Sequence, residues 1–122
     1  HLPAPDGVPV FDLILLGIGS DGHTASLFPG TPALSETRRP VAANPVASLR
    51  TVRLTLTLPV LNAAASVWFL VAGASKASIV RRVLVDRDPD LPATAVGPVS
   101  GRCLWLLDAA AAAELPPPWR GS

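Results

Sequence analysis

Methionine is absent from the 122 residues, and cysteine occurs once, as Cys103. A single thiol excludes an internal disulfide and fits a reduced setting, so a cytoplasmic location is the expectation. No Met stands at position 1 either. The chain opens on a Pro-rich His-Leu-Pro-Ala-Pro run that leads straight into an apolar segment, and the expectation is a piece of a longer chain. Charge is sparse too, at 16% of residues and net +1, with basic residues scattered; no footprint for nucleic acid is present. No charged start followed by a short apolar core marks a signal peptide. The most apolar window, Leu58 to Ala74, is broken by Pro59, Asn62 and Ser66 and falls short of a membrane span. No second His or Cys stands at metal-ligand spacing, so no metal site is expected.

What is present is apolar residue, 49% of the chain, in a length that suits one domain with its own core. Residues 1–122 read as a single α/β domain, with a Pro-rich tail over 114–122. Val10 to Leu16 reads as a buried strand, Val67 to Ala72 as a second and Cys103 to Leu107 as a third. Thr51 to Thr57 reads as a short edge strand, and Leu34 to Pro45 as loop or weak strand. Short helices are expected around Thr24 to Phe28 and, capped by Thr57 with Pro59 in the first turn, up to Ala64 or Ala65. Ser75 to Val85 is an amphipathic helix with Ile79, Val80, Val83 and Leu84 on one face. Asp86 to Gly101 is loop, and Asp108 caps a helix through the alanine run 109–113. Strands without alternation joined by helices imply a parallel sheet covered on both faces. Trp68, Trp105 and Cys103 sit within strands and read as core.

The chemistry concentrates between Phe11 and Gly30. The apolar run stops at Gly17-Ile18-Gly19-Ser20-Asp21-Gly22, and His23 follows at once. Ligands bind at that edge of open α/β sheets. Imidazole titrates near neutrality, so a loop histidine can take a proton from water and return it to a leaving oxygen. Asp21 is close enough to set its tautomer. Read alone, Asp-Gly is common turn chemistry and His23 a helix cap; placed after a buried strand, the pattern points to function. Gly17-x-Gly19-x-x-Gly22 also has dinucleotide spacing, yet the segment breaks off at Pro29 and no acidic strand end follows.

A second constellation, Gly73-Ala74-Ser75-Lys76, joins a strand to a helix and carries the only lysine. Helix N-terminal amides with a lysine suit a phosphate, and a tight turn with a solvated lysine is the plainer alternative. Arg53 could grip a phosphate bidentately or simply lie on an exposed strand face.

Leu16 to Gly30, LGIGSDGHTASLFPG, resembles the signature segment of the 6-phosphogluconolactonase family. Arg53 to Pro59 with Leu61-Asn62, Phe69 to Ala77, Leu91-Pro92-Ala93 and Trp105 to Asp108 agree in order and spacing. The resemblance spans roughly residues 8 to 113. It implies a Rossmann-like parallel-sheet sandwich of the glucosamine-6-phosphate isomerase/ribose-5-phosphate isomerase type, here only its C-terminal part. It implies hydrolysis of 6-phospho-D-glucono-1,5-lactone to 6-phosphogluconate, in the oxidative pentose phosphate pathway and without a cofactor. His23 would activate the water and Asp21 support it. Lys76 and Arg53 would hold the phosphate, with the backbone at Gly19, Gly22 and Gly73 lining the substrate. Two alternatives remain: a related glucosamine-6-phosphate isomerase/deaminase, and a non-catalytic sugar-phosphate-binding module. The deaminases usually carry an acidic residue five positions after the histidine, where this chain has Phe28. The resemblance further implies that a missing N-terminal half completes the fold.

Overall fold

The computed structural model describes residues 2–119. Three parallel strands form the central sheet in the order β1 (Ile14–Leu16), β4 (Ser66–Val71), β5 (Arg102–Leu107). Leu15 lies beside Trp68, which lies beside Leu104. An antiparallel hairpin, β2 (Val41–Val46) and β3 (Thr51–Leu56), is inserted between β1 and β4. Helix α1 (Leu58–Ala63) follows the hairpin, and α2 (Ala77–Leu84) links β4 to β5.

Sequence explains most of these elements locally. Alternating Val, Arg, Leu and Thr give β3 its pleat, and Pro59 presets the first turn of α1. Thr57 sits at the N-cap of α1, but its hydroxyl donates to the Arg39 carbonyl at 2.6 Å rather than capping. In α2 Ile79, Val80, Val83 and Leu84 are buried, while Arg81 and Arg82 face outward. The core gathers these side chains with Val60 and Leu61 of α1 against Ile14, Leu16, Val67 and Phe69 of the sheet. Full burial of a side chain such as Phe69 contributes about 1.5–3 kcal/mol, and Trp105 stacks on it at 4.0 Å.

Several local expectations are corrected. Residues 24–28 form no helix: Ala25 has φ of 50°, and Thr24 and Leu27 form an isolated bridge. The amide of Ser26 is turned out to the Thr55 hydroxyl instead of an intrahelical carbonyl. The alanine run folds as hydrogen-bonded turns, because a few good helix formers ahead of Pro116 to Pro118 do not outweigh the cost of nucleation. Asp108 still accepts the Ala111 amide at 2.8 Å, as a cap would. The segment 34–45 yields a short 3-10 turn, Pro32–Ser35, and then all of β2 up to Pro45.

The largest correction concerns the sheet, which among the described residues is covered on one face only. Both connections step the same way across it, β1 to β4 and β4 to β5, and crossovers of one hand stepping one way lie on one side. The other side presents Leu15, Leu70, Leu104 and Leu106, exposed at 56%, 49%, 43% and 46%, around a half-buried Trp68. Trp68 is therefore half-buried rather than core, whereas Cys103 and Trp105, on the covered face of β5, are partly buried and pack against the core; burial pushes the free Cys103 thiol's pKa up. Among the described residues no helix is long and apolar enough to cross a membrane.

Candidate active site

The loop leaving β1 is held by its own backbone. The Gly22 amide donates to the Gly19 carbonyl at 2.9 Å, the Gly19 amide to the His23 carbonyl at 3.0 Å, and the Thr24 hydroxyl to the Gly17 carbonyl at 2.8 Å. Two glycines are required here. Gly22 has φ of +82°, and a Cβ there would also run into Leu91. Gly19 has a different reason: a Cβ would strike the His23 ring and approach Asp21. The loop is backed from outside by the Ala93 amide, which donates to the Gly22 carbonyl at 3.0 Å.

That geometry brings Asp21 onto His23. Its Oδ1 accepts the His23 amide at 3.0 Å and lies 2.6 Å from Nδ1 of the ring. Partial burial pushes the Asp21 carboxyl upward, but the hydrogen bonds from the His23 amide and ring, with the His23 charge, outweigh it. The group sits below the usual carboxylate range. Phe28 stacks on the imidazole with centroids 4.3 Å apart and planes 21° apart. With Nδ1 engaged, Nε2 is the ring nitrogen without a protein partner among the described residues.

Lys76 reaches the same loop from the far side of the β4–α2 connection. Its Nζ donates to the Ile18 carbonyl at 2.6 Å. Arg53 arrives from the hairpin: it pairs with the buried Asn44 across β2 and β3, and cross-strand partners share a face. That face looks onto the loop, since Asn44 donates to the Ser26 carbonyl at 2.9 Å and Thr55 accepts the Ser26 amide at 3.1 Å. An open cleft of about 600 Å³ is lined by Asp21, His23, Phe28, Arg53 and Lys76, together with Gly19 and Ser20. Among the described residues neither Arg53 nor Lys76 belongs to an ion pair. No cluster of three metal-ligating side chains occurs among them.

Of the residues singled out from sequence, the structure gathers His23, Asp21, Gly19, Lys76 and Arg53 around this cleft. It does not bring Gly22 or Gly73 to it. The Gly22 amide is spent inside its turn, and the Gly73 amide donates to the Asp108 carboxylate at 3.1 Å to each oxygen. Backbone donation from Ala111 and Gly73 holds the Asp108 carboxyl low. Sequence reasoning missed Asn44, whose amide also donates to Thr31 and whose carbonyl accepts the Ala33 amide. The one available signal was its place in an alternating run, masked by the turn-like Asn-Pro pair.

Chemically, the cleft offers a carboxylate-oriented imidazole beside two cations free of carboxylates. That set suits deprotonating a water near an anionic ligand.

The family model described as glucosamine-6-phosphate isomerases/6-phosphogluconolactonase matches residues 1–105. A 6-phosphogluconolactonase of Rattus norvegicus is 50% identical over 117 residues, covering 93% of this chain and 45% of the relative. The crystal structure of a devB protein superposes with a TM-score of 0.79 at 42% identity, covering 94% of this chain and 49% of that one. The crystal structure of 6-phosphogluconolactonase from Leishmania guyanensis gives 0.75 at 37%, covering 89% and 43%. The chain thus spans about half the length of the relatives it matches. A match over most of its residues, with a parallel α/β sheet and the glycine-rich loop in place, puts the chain in the family of glucosamine-6-phosphate isomerases and 6-phosphogluconolactonases.

Proposed function

We propose that this chain carries the catalytic base of a 6-phosphogluconolactonase, which hydrolyses 6-phospho-D-glucono-1,5-lactone to 6-phosphogluconate. The observation that carries the proposal is the 2.6 Å contact between His23 Nδ1 and Asp21 Oδ1 in a cleft shared with Arg53 and Lys76. In this reading Asp21 keeps the proton on Nδ1, so Nε2 accepts a proton from water as that water attacks the lactone carbonyl. The imidazolium then returns the proton to the departing ring oxygen. Arg53 and Lys76 take the phosphate; Lys76 has two further N–H groups beyond the one given to Ile18. The amides of Gly19, Gly22 and His23 are engaged within the loop, which leaves those of Ser20 and Asp21 as the loop donors for a developing oxyanion. Gly22 and Gly73 shape the loops rather than touch the substrate.

Phe28 favours this reading over amino-sugar isomerisation, because an aromatic ring there supplies no proton relay. The domain is completed by an N-terminal half that covers the bare sheet face, and the enzyme works in the cytoplasm, where Cys103 stays reduced. The relatives named as 6-phosphogluconolactonases support the substrate. The test is lactone disappearance above spontaneous hydrolysis with the full-length protein. His23→Asn is expected to lower the rate by about 10²–10⁴-fold. No acceleration by the wild type, with sugar-phosphate binding intact, would leave a binding module instead.

A further inference from the structure

We propose that Phe28 is a positioning residue for His23, one that acts by its aromatic face and not by its bulk. One hydrogen bond fixes a point. The imidazole turns on two side-chain torsions, and the single 2.6 Å contact from Nδ1 to Asp21 leaves the ring a residual swing. A second plane laid against the imidazole removes that swing, and Phe28 supplies it at 4.3 Å and 21°. Gly19 lies against the Nδ1–Cε1 edge, where no Cβ would fit. Face, edge and Nδ1 are thus each held by a different residue, and Nε2 is left with one direction.

Phe28 is itself anchored through its backbone. Leu27, just before it, is wholly buried. The Phe28 carbonyl accepts the Thr31 hydroxyl at 2.7 Å and the Thr31 amide at 3.2 Å. Thr31 in turn accepts Asn44 Nδ2 at 2.9 Å, and Asn44 is fully buried with each of its polar atoms bonded. A chain of hydrogen bonds therefore runs from the floor of the hairpin to the backbone of the residue whose ring faces the imidazole. Phe28 also lines the cleft, so any molecule bound there meets the same surface.

The proposal rests on the lactonase reading, and its test separates the two. Phe28→Met and Phe28→Tyr are made in the full-length protein and compared with wild type in kcat, KM and the NMR spectrum of the His23 ring. Phe28→Met fills the space without a π face. It should lower kcat about tenfold with KM changed less than about twofold, while Phe28→Tyr stays near wild type. The His23 ring protons should move downfield in Phe28→Met as the ring current is lost. Wild-type kcat in Phe28→Met overturns the proposal and leaves the lactonase reading standing. If the wild type hydrolyses no lactone, that reading falls and the spectrum alone decides. Unmoved His23 resonances then overturn the clamp, and a shift with loss of the ring-to-Gly19 proximity signal upholds it.

Discussion

Asp21 holds His23 twice, by the backbone amide at 3.0 Å and by Nδ1 at 2.6 Å, with one intervening residue. A single carboxylate oxygen thereby shapes the loop and orients the ring. Asp21→Asn keeps the size and can still accept the amide, but it loses the charge that favours the protonated imidazole. The expected result is a fall in lactone hydrolysis of about 10²-fold, with substrate binding largely retained. Steady-state kinetics of the full-length variant check this; an unchanged kcat would remove Asp21 from the machinery.

The same carboxylate predicts an acid limit to stability. Its pKa is depressed in the folded chain, so it contributes stability that is present above its unfolded value and lost as pH falls through the lower folded one. The window lies below about pH 4. Urea midpoints measured between neutral pH and that window should fall on acidification, and less steeply in Asp21→Asn. Asp88 and Asp108 are depressed as well, by Arg82 and by the Ala111 and Gly73 amides respectively, so the variant keeps part of the slope. Superimposable curves would contradict the shift at Asp21.

Gly19 and Gly22 should fail in different ways when changed to alanine. At Gly19 the new Cβ meets a side chain, the His23 ring, which can swing away. Activity is expected to drop about tenfold or more while the unfolding midpoint barely moves. At Gly22 the positive φ and the contact with Leu91 act together, and about 1–3 kcal/mol of stability should be lost. Thermal unfolding beside activity separates the two cases; equal stability losses would refute the distinction.

Residues 1–122 expressed by themselves should self-associate through the bare sheet face. Leu15, Trp68 and Leu104 lie side by side across three strands, with Leu70 and Leu106 next along the sheet. A contiguous apolar surface of this kind marks an interface or an aggregation site. Sedimentation should show association that rises with concentration and weakens in Leu104→Lys. A monomer at every concentration would count against the idea.

Much of the site was legible because it is local. The strand, the glycine loop, Asp21 and His23 are consecutive, and the apolar runs at β4 and β5 and the face of α2 follow from periodicity. What escaped depends on distant partners. The β2 strand hides behind Asn44-Pro45, which reads as a turn until Arg53 is found opposite Asn44 and Val52 opposite Pro45. The expected helix at 24–28 yields to Ala25 at positive φ, a conformation set by Thr55 taking the Ser26 amide. A covered sheet was expected from the unbroken apolar strands, and only their order reveals that both crossovers fall on one side.

The Asp108 carboxylate closes the structure in a way that bears on when the cleft comes into being. It takes the Gly73 amide with both oxygens, and the Gly73 carbonyl takes the amide of Lys76. Lys76 is therefore placed by a residue 32 positions later in the chain, as the difference between 108 and 76 gives. Synthesis runs from the N-terminus, so the imidazole and its carboxylate can meet early, while the cation waits for the end of β5. Anion binding would then mature last, and it would report that the final strand has docked.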